Sequence, residues 1–195
     1  MTEEYLQRIR GDNVFSANLC GHELTFHTTW GIFSPKEIDE GTQLLLRHIE
    51  IKPTDDCFDL GCGYGPIGLA LAKSAPQGQT LMVDKDFMAV EYANKNARLN
   101  GIGNAEAMLS NGFQHIGERR FDLIASNVPA KVGKEMLAIM LNDAYAHLRP
   151  GGRIYVVTIT GLRRLFERSL KEIFGNYDKL KQGKAYTVAC AVKAG

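Results

Sequence analysis

The run Asp59-Leu60-Gly61-Cys62-Gly63-Tyr64-Gly65-Pro66-Ile67-Gly68 concentrates residues able to do chemistry. Glycines at 61, 63 and 65 permit a tight turn and let a ligand approach the backbone closely, because no Cβ stands in the way. A helix start after such a turn offers unpaired N–H groups. Asp84 lies 19 residues beyond Gly65, placed to accept hydrogen bonds from both hydroxyls of a ribose. Asp59 precedes the first glycine by two residues and can reach a ligand ammonium through a water or the loop backbone. Together these point to a ligand that carries a nucleoside. Lys131 with Lys134, and Arg163 with Arg164, are positive groups suited to phosphate. The five histidines (22, 27, 48, 115, 147) lie in different segments, and Cys20, Cys57, Cys62 and Cys190 are scattered. Neither set has metal-ligand spacing, so no metal is expected.

The elements that must position these residues are readable from periodicity. Stretches 13–19 and 22–28 have strand character around a Cys20-Gly21 turn. Pro35 opens an expected helix over PKEIDEGTQLLLRHIE, with Ser34 as N-cap and Glu37 at capping-box spacing. Strands are then predicted at Cys57–Leu60, Thr80–Val83, Ala105–Leu109, Phe121–Ser126 and Arg153–Thr160. Helices are predicted at Pro66–Lys73, at Phe87–Leu99 behind an Asp86 N-cap, and at Gly133–Leu148, where Pro150-Gly151-Gly152 ends the helix. The helix after Thr160 carries a stripe of Leu162, Phe166, Leu170 and Ile173. Stretches 177–181 and 185–192, around Gly183, read as an antiparallel hairpin. Alternating strands and helices predict an α/β, doubly wound, mostly parallel sheet. Its ligands bind beyond the carboxyl ends of the strands. That edge gathers the glycine loop, Asp84 and the basic pairs after the strands at 121–126 and 153–160. Gly63-x-Gly65-x-x-Gly68 with Asp84 also fits the dinucleotide fingerprint. Asp59, and a chain short for an enzyme that adds a substrate domain, tilt away from that class.

The chain has 195 residues, 45% hydrophobic and 23% charged, with a formal charge of +1. That predicts one domain, burying roughly 70% of the unfolded surface, and excludes disorder and a disulfide scaffold. No apolar run reaches membrane-spanning length, the first ten residues lack a signal-peptide pattern, and the cysteines read as reduced thiols of a cytoplasmic protein. The near-zero charge hides a split: residues 1–148 hold 13 basic and 19 acidic residues, and residues 149–195 hold 10 and 3. Such a split marks either a solvated surface or a face for an anionic partner.

Asp59-Leu60-Gly61-Cys62-Gly63-Tyr64-Gly65 resembles the first motif of class I S-adenosylmethionine-dependent methyltransferases. The resemblance implies a seven-stranded Rossmann-like sheet with a C-terminal antiparallel pair, and S-adenosylmethionine as cofactor. It places Asp59, Gly61, Cys62, Gly63 and Gly65 at the methionine part, Asp84 at the ribose, Lys85 beside the adenine and Asn111 at the adenine amine. The expected organisation is an N-terminal hairpin extension over 1–34 and a methyltransferase domain over 35–195.

Ser126-Asn127-Val128-Pro129-Ala130 resembles the Asn-Pro-Pro-aromatic motif of methyltransferases acting on planar nitrogens. The resemblance implies that Asn127 and the Val128 carbonyl, on a backbone held extended before Pro129, accept the two N–H groups of an exocyclic amine and align its lone pair. The resemblance also implies that Asn127 borders the cofactor. Two departures stand out: Val128 replaces the first proline, and Ala130 replaces the ring that stacks on a base. Stacking is worth about 1–3 kcal/mol per base, so Trp30 and Phe33 become candidate rings. Gly31-Ile32-Phe33-Ser34 and Asp39-Glu40-Gly41-Thr42-Gln43-Leu44-Leu45-Leu46 are similar to the catalytic half of 16S ribosomal RNA guanine-N2 methyltransferases, and Gly133-Lys134-Glu135 is similar to their single-domain relatives. The expected activity is N-methyl transfer to guanine in ribosomal RNA, by a monomer or homodimer, with Trp30, Phe33, Lys131, Lys134, Arg163 and Arg164 meeting the RNA. A methyltransferase for a small molecule or protein side chain, a catalytically weak cofactor-binding module and a dinucleotide binder remain as alternatives.

Overall fold

The computed structural model describes residues 2–195. A short helix, α1 (Glu3–Arg10), leads into a hairpin of β1 (Asn13–Leu19) and β2 (His22–Thr28). Cys20 and Gly21 form its two-residue turn with φ of 52° and 83°, the left-handed pair whose twist suits flanking strands. The chain continues through α2 (Glu40–Leu46), β3 (Cys57–Leu60), α3 (Pro66–Ser74), β4 (Thr80–Asp84), α4 (Phe87–Leu99), β5 (Ala105–Leu109) and β6 (Phe121–Asn127). Then come α5 (Lys134–His147), β7 (Leu148–Ile159), a single 3-10 turn, α6 (Arg163–Phe174), β8 (Asp178–Gln182) and β9 (Tyr186–Val192).

The large sheet has seven strands in the order β5-β4-β3-β6-β7-β9-β8. Strands β3 to β7 are parallel, and β9 pairs antiparallel with both β7 and β8. This is the expected mostly parallel sheet with its C-terminal antiparallel pair. The order reverses between β3 and β6, the switch point at which such sheets bind ligands. One face is covered by α2, α3, α4 and the hairpin, with Phe26, Leu45, Leu69, Leu71, Met82 and Val188 packed together. The other is covered by α5 and α6 through Phe58, Ile124, Leu137, Leu141, Phe166 and Leu170. Near-continuous burial along β3, β4 and β6 is what two covered faces require.

Three expectations need correction. The helix expected from Pro35 begins at Glu40, and its cap is Asp39, whose Oδ2 accepts the Thr42 N–H at 3.1 Å. Ser34 instead turns left-handed, φ 48°, and its hydroxyl donates to the Glu37 carbonyl at 2.7 Å. Side chains from elsewhere occupy the carbonyls that a helix over 35–39 would need. Thr28 donates to Pro35 O, Tyr64 to Glu37 O, and the Gln43 amide to Ile38 O. Second, β7 starts at Leu148 rather than Arg153, absorbing the Pro-Gly-Gly run as an irregularity in its pairing with β6. Third, the stripe after Thr160 packs on the core, with Phe166 and Leu170 buried and Leu162 and Ile173 partly buried, but Leu162 lies in the preceding 3-10 turn and Phe174 joins the buried face.

The hairpin is anchored by a device the sequence concealed. Asn96 in the last turn of α4 and Asn100 at its C-cap present their amides to the edge of β2. Asn96 accepts from His27 N–H and donates to His27 O, and Asn100 does the same at Thr25. Two side-chain amides thereby stand in for a neighbouring strand and satisfy backbone groups that burial would otherwise leave unpaired.

Candidate active site

The glycine loop follows from backbone geometry. Gly61, Gly63 and Gly65 have φ of 79°, 54° and 98°, conformations costly for a residue with a Cβ. Two hydrogen bonds to Val83 O, from Gly61 N–H and Cys62 N–H at 2.9 Å each, fold the loop over the end of β4. Tyr64 closes it from behind, buried against Phe15 and Phe26, with its hydroxyl 3.2 Å from Glu37 O.

Two carboxylates organise this loop. Asp59 is fully buried beneath the start of α3, and its Oδ2 accepts the Gly68 N–H at 2.7 Å. Its Oδ1 is buried and finds no hydrogen-bond partner among the described residues. Burial pushes the Asp59 carboxyl up to about 7, with the Gly68 N–H opposing and the Asp84 charge reinforcing. Asp84, half-buried at the end of β4, accepts the Gly63 N–H at 2.9 Å on Oδ2 and the Asp86 N–H at 3.0 Å on Oδ1. A carboxylate has about four lone-pair sites, so Asp84 retains capacity for ligand hydroxyls.

The other expected residues fall as follows. Cys62 turns its side chain into the core, 4% exposed. Lys85 and Asn111 are exposed just past β4 and β5, on the same carboxyl edge. Asn127 ends β6 half-buried. Its Nδ2 donates to Asp39 Oδ2 at 2.8 Å and to Thr42 Oγ1 at 3.0 Å. The Val128 side chain is buried and its N–H donates to Val157 O at 2.9 Å, which fixes the backbone that Pro129 then carries out into solvent. Lys131, Lys134 and Arg164 are exposed, and Arg163 is half-buried with its guanidinium on Thr160 O at 3.2 Å. Trp30 and Phe33 are 69% and 68% exposed in the irregular segment 29–39, so neither ring joins the core. That segment runs beside the site, because Glu37 meets the glycine loop and Asp39 meets Asn127.

Asp39, Thr42, Tyr64 and Tyr186 join this constellation without having been expected there. The spacing of Asp39 and Thr42 carried an N-cap signal; nothing local marked Tyr186, whose hydroxyl donates to Asp39 Oδ1 at 3.2 Å. A cavity of about 460 Å³ opens at the opposite, amino ends of the strands, lined by Asp56, Arg119, Arg120 and Arg149. Arg149 pairs there with Asp56 and Asp122, and no expected site residue lines that cavity.

Residues 23–190 match the family model of the methyltransferase small domain. The chain belongs to the small-domain methyltransferase family. It is 32% identical to the protein YbxB of Bacillus subtilis (strain 168) over 183 residues, which is 92% of this chain and 90% of that one. It is 31% identical to ribosomal RNA large subunit methyltransferase G of Streptomyces avermitilis over 90% of this chain and 46% of that protein. Among solved structures it is similar to the T. thermophilus 16S rRNA N2 methyltransferase RsmC, in complex with AdoMet and guanosine. The TM-score is 0.84 at 33% identity, over 93% of this chain and 50% of that one. The chain thus spans about half the length of these two ribosomal RNA methyltransferases. The span matched to the small-domain methyltransferase model runs from β2 into β9 and includes Asp39, Asp59, Asp84, Asn127 and Tyr186. Among the described residues, no helix is long and apolar enough to cross a membrane.

Proposed function

We propose that this methyltransferase transfers the methyl group of S-adenosylmethionine to an exocyclic amine nitrogen of guanine in ribosomal RNA, in the cytoplasm. The observation that carries the reading is the state of Asn127: its amide nitrogen is committed to Asp39 and Thr42, and no donor from the described residues reaches Oδ1. That oxygen and the Val128 carbonyl are the acceptors an exocyclic amine requires. Two acceptors on the amine orient its lone pair, and they stabilise the positive charge that develops on nitrogen during transfer.

The residues present suit the cofactor. The positive-φ glycines leave open space where side chains would stand, with nothing within 4 Å of a Cβ built on Gly61 or Gly63. Asp59 Oδ1 is a buried oxygen lacking a donor, and a water or the loop backbone would link it to a ligand ammonium. In this reading Gly61, Gly63, Gly65 and the Cys62 backbone cradle the methionine part, Asp84 holds the ribose, and Lys85 and Asn111 border the adenine. The bound cofactor supplies a sulfonium methyl, an electrophile that needs no nucleophilic side chain. Trp30 or Phe33 supplies the ring that Ala130 lacks, and Lys131, Lys134, Arg163 and Arg164 meet phosphate. Residues 1–34 act as an extension that braces α4, and residues 35–195 as the catalytic fold.

The test is labelling with methyl-tritiated S-adenosylmethionine, offered separately with unmodified 16S and 23S rRNA, total protein and a metabolite extract. Label in RNA, released as a methylated guanine, is the expected result. Label confined to protein or metabolites would transfer the activity to another acceptor class. Calorimetry should show binding of S-adenosylmethionine and none of NAD.

A further inference from the structure

Asn127 performs its proposed role only if its amide presents oxygen, not nitrogen, to the acceptor amine. The two ends of an asparagine amide have nearly the same shape, so packing alone does not choose between them. Here charge chooses. Nδ2 has two protons and two acceptors, Asp39 Oδ2 at 2.8 Å and Thr42 Oγ1 at 3.0 Å. The flipped amide would set Oδ1 against the Asp39 carboxylate, two acceptors with no proton between them.

We infer that Asp39, with Thr42, is the positioning group that fixes which end of the Asn127 amide faces the acceptor. The inference rests on the reading of Asn127 given above. Asp39 acts through Asn127 and is not a catalytic residue. A carboxylate against the N–H end also draws the amide dipole, making Oδ1 a stronger acceptor, since hydrogen bonds in a chain polarise one another.

The surroundings hold Asp39 for this task. Its Oδ2 also takes the Thr42 N–H, so the residue is at once the cap of α2 and the partner of Asn127. Its Oδ1 takes the Tyr186 hydroxyl from the start of β9. Gly41 makes that approach possible. It is helical, and a Cβ built on it would stand 2.9 Å from Asp39 Oδ2 and 3.0 Å from two carbons of the Tyr186 ring. Any larger residue at 41 would push on both partners. Three elements distant in sequence, α2, β6 and β9, therefore meet on one carboxylate.

Asp39→Ser separates capping from positioning, because serine caps a helix about as well as aspartate but is too short to reach Asn127. Thr42→Val removes the other acceptor at constant shape and leaves the carboxylate cap in place. The first readout needs no substrate: the side-chain amide resonances of Asn127 by nitrogen-15 NMR, assigned by their loss in Asn127→Ala. Both protons should exchange slowly with water in the wild type and at least about tenfold faster in Asp39→Ser. The second is the single-turnover rate on in vitro transcribed 16S and 23S rRNA with saturating S-adenosylmethionine. It should fall about 10- to 100-fold in Asp39→Ser and less in Thr42→Val, with cofactor affinity within twofold. Third, Asp39→Ser introduced into Asn127→Ala should cost less than a further twofold, because the two residues act as one unit. Unchanged amide exchange in both variants overturns the inference, as does an Asp39→Ser loss that persists in full on the Asn127→Ala background. If Asn127→Ala lowers the transfer rate while Asp39→Ser keeps the full rate, this inference alone fails. If Asn127→Ala keeps the full rate, the reading of Asn127 fails with it.

Discussion

At the residue scale, Asp59 is a carboxyl held where ionisation is expensive. Burial dominates, the Gly68 N–H compensates in part, and Asp84 adds repulsion, so the group titrates at about 7. Its pKa is raised on folding, so its contribution to stability is fully present below the unfolded value near 4. That contribution is lost as pH rises through about 7. Asp59→Asn should therefore be more stable than the wild type at pH 8 and lose that advantage by pH 4, followed by thermal unfolding across that range. A ligand ammonium reverses the balance by favouring the charged form, so cofactor binding near pH 6 should expel up to about one proton. Calorimetry in buffers of different ionisation heat reads this directly. A binding enthalpy independent of buffer, in the wild type as in Asp59→Asn, would place the ammonium elsewhere. The sequence showed that Asp59, Asp84 and Asn127 sit at strand ends, because the strands announce themselves by apolar runs. It did not show what each side chain grips. Asp59 takes an N–H nine residues on, and Asn127 takes partners 85 and 88 residues back. Such partners are fixed by the meeting of elements, which one-dimensional spacing does not encode.

At the element scale, α3 sits against β4 at a distance only glycine allows. A Cβ on Gly68 would lie 2.3 Å from Met82 Cγ and 2.5 Å from its sulfur, and Met82 is fully buried. Gly68→Ala should cost about 1–3 kcal/mol by overpacking, measured as a fall in the urea midpoint. Met82→Ala alone opens a hole, but combined with Gly68→Ala it removes the clash. The double variant should then be less destabilised than the sum of the singles. Strict additivity would mean that the helix shifts away without involving Met82. The elements flanking α3 and β4 were legible because strong local signals agreed there, such as Asp86 capping α4, with its Oδ1 2.8 Å from Met88 N–H. The start of α2 was misread because a plausible cap, Ser34, competed with a better one, Asp39. Tertiary bonds to the carbonyls of Pro35, Glu37 and Ile38 decided between them. Nothing in the local sequence marked Asn96 and Asn100, yet Asn96 is fully buried as a mimic of strand backbone.

At the scale of the whole molecule, the basic residues of 149–195 do not act as one set. Arg149 is paired with Asp56 and Asp122, and Arg153 with buried Asp55, across the amino ends of β3, β6 and β7. The Lys193 ammonium donates to the carbonyls of Tyr145 and Leu148. These cations tie strand ends and helices together, and their charge is neutralised or turned to the backbone. Arg164 differs in being exposed, and Arg163 stands beside it, half-buried with its guanidinium on Thr160 O. They open α6 after the 3-10 turn that follows β7, on the carboxyl edge that also carries Asn127, Lys131 and Lys134. An RNA substrate seated over Asn127 brings its phosphates to that edge, and each lost phosphate contact lowers the salt dependence of binding by about one unit of slope. Arg163→Glu with Arg164→Glu should weaken rRNA binding and lower that slope by about two, measured by filter binding between 50 and 300 mM KCl. Arg149→Gln should leave the slope unchanged while lowering the unfolding temperature, because it strips the partner from Asp56 and Asp122. Equal slopes for the wild type and the double reversal would assign Arg163 and Arg164 to solvation. A slope that fell with Arg149→Gln would move the RNA-facing surface to the amino edge of the sheet, away from the glycine loop.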